Sequence, residues 1–291
     1  MTVSGIKKIC VVGAGIMGHE IALCAALNGY NVVCTDVNPE AINKAKKFID
    51  SYLPDRVARG KLSEEITRQA QANLSFTVNL KEAAGDADVV IEAIIEKLAL
   101  KRKLFSELDT ICPKHTILAT NSSFIVSSKI AGATNRPDKV CNMHFFNPAL
   151  VMKLVEVIRG PHVSEETLNA ALELTRSLDK TPVLLKKEIY GFLVNRILSA
   201  LIHEALFLYD MDVASFEDID TAVKLGLGHT IGPFQLLDLT GIDLSYTIDM
   251  ERYQETGDPV HKPSPSIVEK FMKKEWGRKT GKGFYEYQNK S

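Results

Sequence analysis

The stretch ICVVGAGIMG, residues 9–18, constrains this chain more than any other. A short apolar run, 6–12, ends at Gly13, Gly15 and Gly18 in the spacing G-x-G-x-x-G. A helical pattern follows, with Ile21, Ala22, Ala25 and Ala26 on one face. Strand, glycine turn and helix, then a second strand over 31–36, form the opening βαβ unit of a doubly wound α/β sheet. Gly13 permits the tight turn, Gly15 lets the main chain approach a pyrophosphate, and Gly18 permits close helix–strand packing. Ile16 and Met17 belong to the same turn, whose helix N-terminus favours an anion. Asp36 closes the second strand 18 residues beyond Gly18. A carboxylate there binds both ribose hydroxyls and repels a 2′-phosphate, so the expected cofactor is NAD rather than NADP. A glycine-rich turn with a helix-capping aspartate is the plainer alternative.

The remaining pattern organises a chain of 291 residues into two parts, as expected at about 150 residues per domain. Residues 39–73 interrupt the strand–helix rhythm with two polar helices joined near Gly60, the second starting at Ser63 as N-cap. Strands are expected at 87–94, 116–120, 139–145, 153–158 and 182–185, with helices over 98–108 and 164–178. Beyond Lys187 only helices are expected, over 191–209, 216–225, 234–254 and 265–276. The expected domains are therefore 1–187 and 188–291.

Composition excludes several classes. Hydrophobic residues make up 45% and the formal net charge is −1, so no global field favours nucleic acid or an anionic membrane. No apolar run approaches the roughly 20 residues of a membrane helix, and the N-terminus lacks the pattern of a signal peptide. The five cysteines, Cys10, Cys24, Cys34, Cys112 and Cys141, are widely spaced and form no CxxC. A reduced, cytoplasmic protein without a metal site is the expectation. Residues 192–208 are apolar around most of the helix circumference. Such a surface needs cover from later helices and from a second subunit.

VCNMHFFNPALVMKLVEV, residues 140–157, carries the chemistry. Two strand-like runs flank Asn147–Pro148. If they pair antiparallel about residue 150, His144 and Glu156 face each other at about 5 Å. A carboxylate there fixes the imidazole tautomer and leaves one nitrogen as a base. Spacing alone equally allows a satisfied core histidine and an unrelated glutamate.

VVGAGIMG, HFFNP, VMKLVEVIRG, GFLVNRIL, GPFQLLD and GRKTGKGFYEY together resemble the L-3-hydroxyacyl-CoA dehydrogenases, most closely their bacterial 3-hydroxybutyryl-CoA branch. The resemblance covers essentially the whole chain in the same motif order. It implies a Rossmann-like domain with an inserted helical hairpin, followed by an all-α domain that dimerises. It implies NAD-dependent interconversion of a 3-hydroxyacyl-CoA and a 3-oxoacyl-CoA. His144 matches the family's base and Glu156 its partner. Ser123 and Asn195 match the groups at the reacting oxygen. Glu96, Lys101, Ser123 and Asn147 match cofactor-side positions, and Arg59 a CoA-binding position on the hairpin. The sequence departs from the family's pattern at Glu20, in the helix of the glycine turn, at Asp55 on the hairpin, and at Phe124 and Tyr190. The rival readings are a dehydrogenase of a free 3-hydroxy acid and a binding protein that keeps the fold without turnover. The GxxGxGxxxK helix of the β-hydroxyacid dehydrogenases is absent. The set Ser123, His144, Glu156 and Asn195 argues against loss of turnover.

Overall fold

The computed structural model describes Val3 and residues 5–287. The chain divides into two compact units, Met1–Leu193 and Val194–Ser291. In the first, the elements are β1 (Lys8–Val12), α1 (Ile16–Leu27), β2 (Asn31–Thr35), α2 (Pro39–Ala58), α3 (Glu64–Asn73), β3 (Leu74–Thr77), α4 (Leu80–Ala84) and β4 (Val89–Glu92). There follow α5 (Leu98–Ile111), β5 (Ile117–Thr120), α6 (Ser128–Ala131), β6 (Val140–Phe145), β7 (Leu154–Ile158), α7 (Glu165–Ser177) and β8 (Thr181–Leu185).

The strands form one eight-stranded sheet in the order β3-β2-β1-β4-β5-β6-β7-β8. The β6–β7 pair is antiparallel and the other neighbours are parallel. Side chains alternate between two cores. Ile9 and Val11 face the layer that includes Ile21, Leu23 and Leu174, while Cys10 and Val12 face that of Phe105, Leu108 and Ile130. Every residue of β4, β5 and β6 is buried, and burial on both faces explains why β4 and β5 open on the apolar runs VVI and ILA rather than alternating.

Local signals place the helix starts. Asn38 accepts from the Glu40 N–H at 3.0 Å ahead of Pro39, and Ser63 accepts from the Ile66 N–H at 3.2 Å. Both satisfy N–H groups that a helix start leaves unpaired. The short elements β3 and α4 were not expected from the sequence. β3 is an edge strand of four residues, none of them buried, and so carries almost no periodic signal. All five cysteines are buried without disulfide bonds. Burial pushes the Cys141 thiol up to about 12.

The second unit contains α8 (Val194–Asp210), α9 (Phe216–Leu227), α10 (Pro233–Thr240), α11 (Ile242–Thr256) and α12 (Pro265–Met272). The helix expected over 234–254 is in fact two. Gly241 adopts φ +108 between α10 and α11, a conformation that breaks the helix although the apolar pattern continues through it. Two buried aspartates organise this unit. Asp220 accepts from the Phe234 and Gln235 N–H groups at 2.8 and 3.0 Å and from the Tyr285 hydroxyl at 2.9 Å. Asp238 accepts from the Phe284 and Tyr285 N–H groups at 2.9 and 2.8 Å. A Cβ at Gly283 would lie 2.0 Å from Asp238 Oδ1, so glycine there permits the close approach. The motifs GPFQLLD and GRKTGKGFYEY are thus two halves of one structural lock. Among the described residues no helix is long and apolar enough to cross a membrane.

Candidate active site

The glycine turn has the shape its spacing predicts. Gly13 sits at φ +106, and a Cβ there would lie 2.6 Å from the Ala93 carbonyl oxygen. A Cβ at Gly18 would lie 1.7 Å from the Gly13 oxygen, whereas at Gly15 it would meet nothing within 4 Å. Gly15 is also the N-cap of α1 and supplies no side-chain hydrogen bond to it. An open main-chain cradle at a helix N-terminus fits a pyrophosphate. Ile16 is exposed beside it and Met17 is half-buried. Asp36, just past β2, accepts from the Ala14 N–H at 2.7 Å and the Asn38 N–H at 2.8 Å, one on each oxygen. Each oxygen retains a lone pair for a ribose hydroxyl. These residues fit a bound dinucleotide.

Glu20 does not line this cradle. It is buried and accepts from the Leu150 N–H at 3.2 Å, tying α1 to the loop that follows His144.

Lys101 is buried between two carboxylates. Lys101 is 1% exposed, 2.6 Å from Glu92 Oε1 and 3.2 Å from Glu96 Oε2. Glu92, which the sequence reading missed, is fully buried at the end of β4 and also accepts from the Thr120 hydroxyl at 2.6 Å and the Ile94 N–H at 2.7 Å. Its signal was a carboxylate closing an otherwise apolar strand, VVIE. The Ser122 hydroxyl and Phe124 N–H also donate to Glu96. Burial by itself raises the Glu96 carboxyl. Lys101, Ser122 and the Phe124 N–H outweigh it and hold the group below its ordinary range.

The antiparallel register of β6 and β7 puts His144 opposite Glu156, the pairing expected about residue 150. His144 Nδ1 lies 2.8 Å from Glu156 Oε2. The second oxygen, Oε1, accepts from the Leu193 N–H at 3.0 Å. With a carboxylate at Nδ1, that nitrogen carries the proton and Nε2 presents its lone pair. Ser123 Oγ lies 3.1 Å from Nε2. Phe146 and Phe192 pack against the imidazole, with ring centroids at 4.6 and 5.3 Å. The imidazole is 4% exposed and Glu156 is fully buried, so water competes little for either partner.

Ser123 lies ahead of α6 and caps no helix. The helix begins only at Ser128, and the preceding turn is held by Ser122 Oγ, which accepts from the Ile125 N–H at 2.7 Å. This frees the Ser123 hydroxyl for His144. Asn121 and Asn142, also missed, brace the same strand ends. Asn121 Oδ1 accepts from the Phe145 N–H at 2.8 Å, and Asn142 Oδ1 from the Ser127 N–H at 2.7 Å. Asn147 is exposed next to this site. The two aromatic departures contact each other, with Phe124 and Tyr190 ring centroids 5.1 Å apart.

On the hairpin, Arg59 is exposed and its Nε lies 2.8 Å from Asp55 Oδ1. A cavity of about 500 Å³ lies between α1, the hairpin and residues 150–153 and 178–180, lined by Tyr52, Arg56, Lys61 and Lys180 among others. Arg56 stacks on Tyr52, its guanidinium 4.7 Å from the ring centre. Asn195 is the second residue of α8 and belongs to the other compact unit.

Comparison with known proteins assigns this arrangement to a family. Residues 8–189 match the family model "3-hydroxyacyl-CoA dehydrogenase, NAD binding domain", and residues 191–287 match "3-hydroxyacyl-CoA dehydrogenase, C-terminal domain". The 3-hydroxybutyryl-CoA dehydrogenase of Clostridioides difficile is 40% identical over 280 residues, covering 96% of this chain and 99% of the relative. The human mitochondrial hydroxyacyl-coenzyme A dehydrogenase is 39% identical over 290 residues, covering 97% and 92%. The crystal structure of (S)-3-hydroxybutyryl-CoA dehydrogenase from Ralstonia eutropha superimposes with a TM-score of 0.92 at 38% identity, covering 98% of this chain and all of that one. Matched from its glycine turn to its last aromatic motif, the chain belongs to the 3-hydroxyacyl-CoA dehydrogenase family.

Proposed function

We propose that this protein interconverts (S)-3-hydroxyacyl-CoA and 3-oxoacyl-CoA with NAD(H), acting on short acyl chains such as 3-hydroxybutyryl. The observation that carries this reading is the hydrogen-bonded line Ser123–His144–Glu156 within the NAD-binding unit. When bound, NAD supplies the acceptor or donor of the hydride at C3. His144 Nε2 takes the hydroxyl proton in oxidation and returns it in reduction. Glu156 stabilises the imidazolium formed in between. The Ser123 hydroxyl and the Asn195 amide stabilise the partial charge on the substrate oxygen. Glu96 and Lys101 border the cofactor beside Ser122, and Asn147 lies on the same side.

At the CoA end, Arg59 is shared with Asp55, which supports a secondary part for it. Arg56 supports a stronger one, because it faces the cavity and its Nε has no hydrogen-bond partner among the described residues. The assay that tests the whole reading is NADH oxidation with acetoacetyl-CoA and longer 3-oxoacyl-CoA substrates, against free acetoacetate. Turnover of the free acid at the rate of the thioester would remove the CoA assignment.

The same assay with NADPH tests Asp36. Wild type should prefer NADH, and Asp36→Ala should narrow the ratio of kcat/KM between the two cofactors. A wild-type preference for NADPH would overturn the assignment.

We also propose a homodimer through the second unit. Ile197, Phe207, Met211, Leu225 and Leu227 are exposed on it, Leu225 at 83%, large apolar side chains that a second subunit would cover. Sedimentation at micromolar concentration should give a dimer or larger. A fully active monomer would remove this claim and leave the chemistry standing.

A further inference from the structure

The loop that joins β6 to β7 is fastened by two buried charged side chains that the proposed chemistry does not use. The β6–β7 ladder ends at the Phe145–Val155 pair, so the pairing that aligns His144 with Glu156 does not reach the residues between. Lys180, in the turn between α7 and β8, is 8% exposed. Its ammonium donates to the Ala149 and Met152 carbonyls at 2.6 and 2.8 Å. Glu20, on α1, is buried and accepts from the Leu150 N–H at 3.2 Å. Within the loop, the Pro148 carbonyl accepts from the Val151 and Met152 N–H groups at 3.0 and 2.9 Å. Main-chain groups of 149, 150 and 152 are thus tied to two other parts of the fold by charge-assisted hydrogen bonds, about twice as strong as neutral ones. Surface loops are ordinarily more mobile than the elements they connect.

What the fastening serves is Asn147, which lies in this loop just beyond His144. Asn147 is exposed, and its side chain has no hydrogen bond among the described residues. The place of its amide therefore follows from the main chain that carries it. Glu20 comes from the helix whose N-terminus forms the glycine cradle, so one bond ties this loop to the cofactor's own support.

We propose that Lys180 and Glu20 are positioning residues: they fix the main chain of 149–152 and so hold Asn147 where the nicotinamide half of a bound cofactor meets His144. This rests on the reading of Asn147 as a cofactor residue, and the test separates the two. In the full-length protein, Asn147→Ala should raise the Kd for NADH by about five- to tenfold, the scale of one hydrogen bond. Lys180→Met, which keeps the stem and loses the donors, should weaken NADH to a similar degree, and Glu20→Ala by about threefold. In an Asn147→Ala background neither should cost more than about a further twofold, because both act through that amide. Glu20→Gln keeps a carbonyl for the Leu150 N–H and should restore parental affinity. Hydrogen exchange at the amides of 150–152 should be about tenfold faster in Lys180→Met.

Glu20→Ala carries the test if Lys180→Met does not fold. Parental NADH affinity in the folded variants would overturn the proposal, as would full additivity with Asn147→Ala. Tighter NADH binding in both Glu20→Ala and Glu20→Gln would overturn it too, because Glu20 would then act as a charge repelling the pyrophosphate. Lys180 also borders the cavity beside Arg56. A rise in KM for acetoacetyl-CoA with NADH affinity unchanged in Lys180→Met would make it a CoA ligand and remove the positioning role. Unchanged affinity in Asn147→Ala would instead sink the reading of Asn147, and faster exchange in Lys180→Met would still support the fastening of the loop.

Discussion

Replacing His144 with alanine should lower kcat by about 10²- to 10⁴-fold, the usual contribution of a general acid–base group, while NADH binding survives. The separation follows from geometry. The glycine cradle and Asp36 are built from β1, α1 and β2, and no hydrogen bond described for them involves His144. Glu156 loses its imidazole partner but keeps the Leu193 N–H. Fluorescence titration with NADH and steady-state kinetics on the same preparation check both halves. Near-normal turnover in folded protein would sink the mechanism. Glu156→Gln is the sharper companion. Its amide carbonyl must face the Leu193 N–H, which turns the NH₂ group towards Nδ1. That nitrogen must then accept, so the proton moves to Nε2 and the base is lost. A loss of about 10²-fold is expected, with the fold intact.

Lys101→Met should destabilise the first unit by about 3–5 kcal/mol, the cost of leaving a buried charge without its partner. Lys101 is 1% exposed and Glu92 is fully buried, so water does not replace the ammonium. The Ile94 N–H and Thr120 hydroxyl remain on Glu92 and soften the loss without removing it. For a unit of this size the fall in Tm is on the order of 10 °C. Adding Glu92→Leu should recover much of it, because a buried ion pair is often replaceable by apolar side chains at little cost. Lack of recovery would mean that Lys101 matters through packing alone. A pH effect accompanies the substitution. The Glu96 carboxyl is held low in the folded protein. It therefore contributes stability above its unfolded titration range, and that contribution fades as pH falls through its folded value. Without Lys101, the acid-side dependence should weaken.

The parts of the site legible in the sequence are those built from near neighbours in the chain. The glycine spacing determines its own turn. His144 and Glu156 face each other because the two strands fold back about the loop after Asn147, so counting residues finds the pair. Glu92 was not legible, because its partners Lys101 and Thr120 come from two other elements. An apolar strand reports which face it buries and not what a terminal carboxylate meets. The apolar period likewise ran through Gly241, since periodicity records side chains while the break is a backbone dihedral. Asp220 and Asp238 escaped for a third reason. Asp238's partners Phe284 and Tyr285, and one of Asp220's, lie in a tail, 284–287, that has no periodic structure of its own, and Asp220's other partners are main-chain N–H groups. Leu193 serves the site through its main chain, and no side-chain pattern announces a backbone donor.

The antiparallel β6–β7 pair also bears on how such a chain can change over evolutionary time. Residues inserted between 146 and 153 would lengthen a loop and leave the parity of both strands as it is. A single residue inserted within β7 would turn Glu156 to the opposite face of the sheet and bring a valine to His144. Length variation is therefore open to the loop and closed to the strand, although the strand is only five residues long. Lineages carrying this chemistry should accumulate their insertions on one side of Leu154 and none on the other before Glu156.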